Sequence, residues 1–531
     1  MMSKKSHPQW RVSRRYGVLL LALNLSACIN GPAVDLAPDY QPDHFVIPDS
    51  WRGASPFVKA EPADNELRPD WWQLFNDPLL NTLEQQATAA NPDLQAAAER
   101  FVQARDEMMK VRSNLIPHAG IEFGASKNKQ SENSLFHAPG SQIHDAQVSL
   151  GGIASWEPDF WSSIRNATRA EIYRAEERAA DFGNARLSLQ AELAANYFML
   201  RGLDAQSAIY QRSVALYQKS LELVNARFEG AIASALDVAR VESLLYTTET
   251  KLAQIQGERQ VVEHAIAILV NQAPASFKID PVATLKLPHF SIPRTLPSTL
   301  LERRPDIAAM ERRMAQANRG IGIARAAFYP NVSFSLGGGY ENNSFDLFKA
   351  AESFWSFGTA VSLPIFQGGF RRAQLQQSWS AYRETEDQYR STILNAFREV
   401  ENGLSLTNRL TAAAERQSAA VEATLKAQNL TMDLYQGGLA SSLELIYAQV
   451  ATLTASVDAV QIKTDLLKNS VALVRALGGG WERGQLPADE QIQPFGVLQY
   501  SGLDKPLSAG GIDVNADNNG VNNDLTRPAM P

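Results

Sequence analysis

The residue types that most often carry out chemistry are scattered through this sequence without the spacing that enzymes need. Glu157 and Asp159 form a carboxylate pair, but no G-x-S-x-G or G-x-x-x-x-G-K-[ST] motif accompanies them. The histidines include no i, i+4 pair and no H-E-x-x-H motif. They are His7, His44, His118, His137, His144, His264 and His289. A metal held by His137 and His144 is the weaker alternative to solvated loop residues, so the sequence predicts no enzyme and no metal centre.

The lone cysteine, Cys28, closes a segment that is typical of a targeting signal. Residues 1–15 carry five basic side chains and no acid, and a short apolar run follows. Leu25-Ser-Ala-Cys28 resembles a bacterial lipobox. The resemblance implies removal of residues 1–27 and a covalent lipid on Cys28, with no other cofactor. Because Ile29 rather than Asp follows the cysteine, it also implies sorting to the outer membrane.

Composition and charge exclude several classes of protein. The chain has 531 residues, of which 45% are hydrophobic and 20% charged, so it can form a large core. Its net charge of −7 argues against a nucleic-acid binder. A single cysteine excludes an intramolecular disulfide. No uninterrupted apolar stretch reaches about 18 residues, which argues against a polytopic helical membrane protein.

Two copies of one unit make up most of the sequence. The segment from Asn91 to Pro117 aligns without a gap with the segment from Arg304 to Pro330. The predicted organisation is a signal peptide (1–27), an extended N-terminal segment (28–76), a first repeat (77–274), an inter-repeat linker (275–291), a second repeat (292–480) and a C-terminal segment ending in a disordered tail (481–531).

Each repeat is predicted to contain the same elements. A helix of about 25 residues leads to a β-hairpin, at about 118–157 and again at about 331–364. The strands alternate apolar with small or polar residues, as in membrane strands, although a soluble hairpin fits the pattern equally well. A proline-free helix of about 64 residues follows, then a small-residue turn and a helix of about 40 residues. In the second repeat the long helix has a heptad seam, formed by Leu375, Trp379, Tyr382, Glu386, Tyr389, Ile393, Ala396 and Val400.

Two hairpins supply only four strands per chain, whereas the smallest membrane barrels use about eight. Open strand edges are not tolerated in lipid. If the hairpins lie in a bilayer, the chain must therefore oligomerise, and three copies give twelve strands.

Several motifs resemble the TolC-like outer membrane factor family, in its lipoprotein (NodT-type) branch, over about residues 65–480. They are Trp71-Trp-Gln-Leu-Phe-Asn-Asp-Pro-Leu79, Leu300-Leu-Glu-Arg-Arg-Pro-Asp-Ile307, Gly322-Ile-Ala-Arg-Ala-Ala-Phe-Tyr-Pro330 and Ser362-Leu-Pro-Ile-Phe-Gln-Gly-Gly-Phe370. The resemblance implies a mainly α fold with a membrane β-barrel. Each chain of a homotrimer would contribute four strands to a twelve-stranded barrel, together with a long α-helical coiled-coil tunnel and a mixed equatorial domain.

The same resemblance implies a function and a site. The function is passive efflux of small molecules through the outer membrane, delivered by an inner membrane pump of the RND type and a periplasmic adaptor. Asp237 and Glu444 occupy the positions of the periplasmic gate, where a trimer would place a cation-selective ring of carboxylates. The tip turns, where the adaptor would bind, contain Gly230, Gly437 and Gly438, which permit φ > 0.

Three other interpretations remain open at this stage. The two acids can be ordinary solvated residues of helix faces. The pore can be an export duct for proteins. The chain can also be a non-conducting coiled-coil lipoprotein of the envelope, although such a scaffold does not need the paired alternating segments.

Overall fold

The computed structural model describes most of the chain from residue 69 to residue 488, together with a short N-terminal segment. The described residues are 33–40, 47, 51, 69–129, 131, 144–287, 298, 300–346, 348–488 and 492. The predicted signal peptide, Cys28 and the tail from about residue 505 lie outside them.

Helices dominate the described residues. The α-helices are α1 (Pro78–Ala90), α2 (Pro92–Ser113), α3 (Ser163–Glu229), α4 (Ala235–Leu269), α5 (Leu300–Arg303), α6 (Pro305–Ala326), α7 (Phe370–Gln436) and α8 (Ser442–Ala476). The strands are β1 (His118–Lys129), β2 (His144–Trp156), β3 (Asn331–Asn342) and β4 (Ser353–Ser362). Short 3-10 helices lie at Trp71–Phe75, Ala350–Glu352 and Arg483–Gln485.

The two repeats have the same order of elements. The first consists of α2, β1, β2, α3 and α4, and the second of α6, β3, β4, α7 and α8. The long helices α3 and α7 each have 67 residues, and the return helices α4 and α8 each have 35. At 1.5 Å per residue the long helices extend about 100 Å.

The four strands form one antiparallel sheet in the order β1-β2-β3-β4. The central pairing joins the repeats, with Trp156 opposite Phe334 and Gly151 opposite Gly339. A Cβ on Gly339 would lie 2.2 Å from the Leu150 carbonyl oxygen, so only glycine permits this approach of the two strands. β1 and β4 are the edges of the sheet within one chain.

The two faces of the sheet differ in chemistry, since paired residues lie on the same face. One face is mostly apolar, and its apolar members include Ala119, Ile121, Phe123, Ala125, Val148, Leu150, Ala154, Trp156, Val332, Phe334, Leu336, Tyr340, Trp355, Phe357 and Val361. The polar members of the same face are Lys127, Lys129, His144, Asn342, Ser353 and Thr359. The other is mostly small and polar and comprises His118, Gly120, Glu122, Gly124, Ser149, Gly151, Ser155, Ser333, Ser335, Gly337, Gly339, Ser356 and Gly358, with Ile153 and Phe354 as apolar exceptions. On the apolar face Ile121 is 83% and Trp355 81% exposed, so the single chain leaves this surface uncovered.

The main core lies midway along the helices. The motif Trp71-Trp-Gln-Leu-Phe75 buries its three aromatic rings there, against the middle of α3 and the C-terminal half of α8. Asp77 caps α1 by accepting hydrogen bonds from Leu79 N and Leu80 N. The Tyr197 hydroxyl on α3 donates to the Asp77 carboxylate over 2.6 Å, which ties the start of α1 to the long helix.

The predicted heptad seam of α7 is buried only in part within one chain. Its last four members, Tyr389, Ile393, Ala396 and Val400, are buried. Its first four members, Leu375, Trp379, Tyr382 and Glu386, are half-buried. Their remaining surface lies on the half of α7 nearest the sheet and is available to a neighbouring chain.

Among the described residues, α8 is the one helix with the length and hydropathy to cross a membrane. It packs instead along α7 and α3.

Glu84 on α1 is a buried carboxyl group without a polar partner. It is 0% exposed, and neither of its oxygens has a hydrogen-bond partner among the described residues. Burial raises the pKa of Glu84 well above 4.5. A raised pKa in the folded state means that the folded chain binds the proton more tightly than the unfolded chain. The chain therefore loses stability as the pH rises above the ordinary glutamate pKa.

We expect Glu84→Leu to stabilise the protein by about 1–3 kcal/mol, because an unpartnered buried polar group costs that much. The rise in melting temperature should be larger at pH 8 than at pH 5. Gln86→Leu, at an exposed position of the same helix, is the control and should give no pH-dependent gain. Equal gains for Glu84→Leu at both pH values would show that Glu84 does not titrate as described.

Candidate functional site: the helical hairpin tips

The two helical hairpins, α3–α4 and α7–α8, end in turns of similar shape. Of the three glycines, one uses the positive φ that glycine permits. Gly230 has φ −76° and Gly437 has φ −74°, values that any residue adopts. Positive φ occurs at Gly438, at 76°, and in the first turn at Ala231, at 58°. Only Gly438 therefore needs glycine for its backbone conformation, and the first turn tolerates alanine in the left-handed region at some energetic cost.

Asp237 and Glu444 occupy equivalent places in the two tips, at the third position of the return helices α4 and α8. Each forms a capping box with the serine that precedes its helix. Asp237 accepts hydrogen bonds from Ser234 N over 3.1 Å and Ser234 Oγ over 2.7 Å. Glu444 accepts from Ser441 N over 2.6 Å and Ser441 Oγ over 3.0 Å. The sequence signal for such a box, Ser-x-x-Asp/Glu before a helix, is present in Ser234-Ala-Leu-Asp237 and Ser441-Ser-Leu-Glu444.

The same contacts favour the charged form of both carboxylates. Hydrogen bonds from the Ser442 hydroxyl, and then from Ser234, lower the pKa of Asp237. Hydrogen bonds from the backbone and side chain of Ser441 lower the pKa of Glu444. Both Asp237 and Glu444 are therefore negatively charged at neutral pH.

One of the two acids also reaches across to the other hairpin. The Ser442 hydroxyl, at the start of α8, donates a hydrogen bond to Asp237 Oδ1 on α4. Among the described residues, Glu444 makes its hydrogen bonds only with Ser441. The two positions look equivalent in the sequence, but only Asp237 connects the hairpins.

A second link between the hairpins comes from Arg227, near the end of α3. Its Nη2 donates to the carbonyl oxygens of Tyr435 over 2.8 Å and Gln436 over 3.2 Å, at the end of α7. Its guanidinium also lies 4.2 Å from the centre of the Tyr435 ring. A cation at the end of α7 meets the unpaired carbonyls and the negative end of the helix dipole. Sequence reasoning did not identify Arg227 or Ser442, because neither has a local motif that reports a contact between distant segments.

Apolar packing lies beside these polar links, on the side away from the end of the tip. Val224, Val241, Tyr435 and Leu445 form a buried cluster between the two hairpins. At the extreme end, Ile232 and Leu439 are each 80% exposed. The two hairpins are therefore joined by polar and apolar contacts just behind the tips, and the ends of the tips are apolar and exposed to solvent.

The structure gives Asp159, one of the two carboxylates near β2, a structural role. Asp159 accepts hydrogen bonds from Ile164 N over 3.1 Å and Arg165 N over 2.9 Å and so caps α3. Glu157 is exposed. Within the described part of the chain, no group of three or more His, Cys, Asp or Glu side chains is placed to hold a metal ion.

Comparison with known proteins places these features in a family. The model of the outer membrane efflux protein family matches residues 83–272 and 296–479. The pyoverdine export outer membrane protein OpmQ of Pseudomonas aeruginosa is 29% identical over 465 residues, which cover 86% of this chain and 96% of OpmQ. The toluene efflux pump outer membrane protein TtgF of Pseudomonas putida is 30% identical over 476 residues, which cover 87% of this chain and 97% of TtgF.

Solved structures give the same fold. The open state of the Neisseria gonorrhoeae MtrE outer membrane channel superposes with a TM-score of 0.74 at 26% identity, covering 85% of this chain and 99% of MtrE. The outer membrane protein VceC of Vibrio cholerae superposes with a TM-score of 0.71 at 27% identity, covering 80% of this chain and all of VceC. The predicted fold class, the outer membrane location and the efflux function are confirmed at the level of the family. The chain belongs to the outer membrane efflux protein family and is an outer membrane efflux channel component, not an enzyme.

Proposed function

We propose that three copies of this chain form a channel that passively exports small molecules across the outer membrane. The observation that carries the proposal is the four-stranded sheet, with one mostly apolar face and one small and polar face. Its edge strands β1 and β4 each have a strand partner on one side only among the described residues. In lipid such edges must be paired. Three sheets joined edge to edge give twelve strands, with the apolar face towards lipid and the polar face lining the pore.

The energy for export comes from elsewhere in this proposal. The sequence has no phosphate-binding motif of the G-x-x-x-x-G-K-[ST] type. We propose that an inner membrane pump of the RND type drives transport and that a periplasmic adaptor connects the pump to the channel. The exposed Ile232 and Leu439, beside Gly230, Gly437 and Gly438, offer the adaptor an apolar contact at each tip.

The cargo is proposed to be small molecules. The names of three relatives specify pyoverdine, toluene and cations. Such different cargoes carried by similar channels are consistent with a pump that makes the choice. A covalent lipid on Cys28 would anchor the channel in the outer membrane beside its barrel.

The tips are proposed to act as the periplasmic gate. Asp237 and Glu444 bring two carboxylates per chain to the mouth, so a trimer presents six. Rings of acidic side chains favour cations in a narrow pore. The links from Asp237 to Ser442 and from Arg227 to the end of α7 hold the two hairpins of each chain together and oppose their separation.

The channel itself is tested with the purified full-length protein in planar bilayers, alongside its mass in detergent. We expect a trimer and a small, cation-preferring current. A monomeric mass with no current would reject the channel and favour the non-conducting scaffold.

Charge at the mouth is tested by Asp237→Asn combined with Glu444→Gln. Both amides keep an oxygen that can accept the capping hydrogen bonds, so the helix starts are preserved. We expect the preference for K⁺ over Cl⁻, read from the reversal potential in a salt gradient, to fall by about twofold or more. An unchanged reversal potential would show that selectivity resides elsewhere in the pore.

The links between hairpins are tested by Ser442→Ala and Arg227→Gln. Each removes a contact across the hairpins and leaves both capping boxes intact. We expect each to raise the single-channel conductance or the open fraction by about twofold or more, since a hydrogen bond to a charged group stabilises by about 1.5–3 kcal/mol. The controls are Ser441→Ala, which removes a cap but no cross-hairpin contact, and Arg212→Gln on α3. Among the described residues, the Arg212 guanidinium bonds only within its own helix. Equal effects of test and control variants would contradict a latch at these residues.

A further inference from the structure

A short N-terminal segment, residues 33–40, lies across the body of the protein near the barrel. Val34 N donates a hydrogen bond to Phe160 O over 2.9 Å, in the link between β2 and α3. At the other end, the Tyr40 hydroxyl donates to Glu311 O over 3.3 Å. Glu311 lies on α6, about 22 Å from the end of that helix that leads into β3. The segment, called the strap below, therefore starts beside the barrel and runs away from it along α6.

Asp35 makes the central contact of the strap. Its Oδ1 accepts a hydrogen bond from Asn166 Nδ2 over 2.8 Å. Its Oδ2 accepts from Arg169 Nη1 over 2.9 Å and from Arg319 Nη1 over 3.2 Å. Asn166 and Arg169 belong to α3 of the first repeat, whereas Arg319 belongs to α6 of the second. One carboxylate thus joins the two repeats.

The seam between α3 and α6 is shaped to receive the strap. A Cβ added to Gly322 on α6 would lie 2.9 Å from the Ala37 Cβ and 3.0 Å from the Ala37 Cα, closer than side chains pack. Beside it, Arg325 Nη1 donates to Leu36 O over 3.0 Å. The glycine makes room for the strap, and the arginine satisfies one of its backbone carbonyls.

The electrostatics explain why an acid stands at this position. Two guanidinium groups from different repeats approach the same oxygen of Asp35, so without the carboxylate they would face each other with like charge. Asn166, which also bonds to Asp35, is 0% exposed. Burial raises the pKa of Asp35, but hydrogen bonds from Asn166 and Ala37 and the charges of the two arginines outweigh it, and the net shift is downward.

We propose that the strap is a clasp that holds the two repeats together at the barrel end of the tunnel, with Asp35 as its positioning residue. The strap also fixes the direction in which the preceding chain leaves the body. Five residues lie between Cys28 and Val34, and the six steps from one Cα atom to the next span at most about 20 Å, so Cys28 stays within that distance of Val34. A role for this distance in anchoring rests on the lipid proposed for Cys28, whereas the clasp itself does not.

The test begins with Asp35→Ala in the full-length protein purified from outer membranes. A broad-specificity protease is added, and cuts between residues 33 and 47 are timed by mass spectrometry of the intact chain. We expect cleavage to be at least about tenfold faster, because opening-limited proteolysis follows the population of the released strap. The melting temperature of the trimer should fall as well. Asp39→Ala is the matched control, since Asp39 carries the same charge in the same strap, is exposed, and has no hydrogen bond or ion pair among the described residues.

A disulfide supplies a rescue that a general folding defect would not show. In the Asp35→Ala background, Ala37→Cys with Gly322→Cys brings two Cβ positions within 2.9 Å of each other, which is shorter than the 3.5–4.5 Å that a disulfide spans, so the strap must move outward by roughly 1 Å as the bond forms. The oxidised variant should regain protease resistance and trimer stability, and reduction should abolish both. The clasp is rejected if Asp35→Ala matches Asp39→Ala, or if the oxidised pair restores neither property. Failure of the channel proposal would appear separately, as a wild-type protein without current.

Discussion

A lipid bilayer offers no hydrogen-bond partner to a backbone N–H or C=O group, and this constraint governs the architecture. Among the described residues, β1 and β4 each have one unpaired side, and the mostly apolar face of the sheet is exposed. Both problems are solved when the edges of three chains pair. A closed ring of strands then fixes where the helices that continue from them must lie. The half-buried first part of the α7 seam, on the barrel side, is the surface that such a ring brings against a neighbour.

The repeats share their elements but not the contacts of equivalent residues. Asn91 caps α2 with its side chain, whereas Arg304, its counterpart before α6, makes no capping bond. Arg304 instead pairs with Asp306 and Glu399 and donates to Ala476 O. The tips differ in the same way, because Asp237 bonds across to the other hairpin and Glu444 does not within the described residues. In a trimer the six acids are therefore two sets of three with different surroundings.

Long-period patterns were readable from the sequence, and contacts between distant segments were not. The lengths of the helices, the positions of both hairpins and the duplication follow from periodicity, proline positions and turn residues, which are local properties. Gly230 does not use the positive φ that glycine permits, and Ala231 takes that conformation in the first turn instead. The contacts of Arg227 and Asp35 depend on packing between segments far apart in the chain, and neither residue has a local signature. The two capping boxes, by contrast, follow from a local Ser-x-x-Asp/Glu pattern in the sequence.

The capping boxes have a mechanical consequence. Because α4 and α8 each begin with reciprocal hydrogen bonds between serine and carboxylate, their first turns are secured against fraying. Each hairpin then moves as a stiff rod. Its return helix has 35 residues and is about 50 Å long. A rotation of about 5° at the end that lies in the main core displaces the tip by about 4 Å over that length. In the proposed gate, a small adjustment of side-chain packing in the main core would therefore produce a larger change in aperture at the periplasmic mouth.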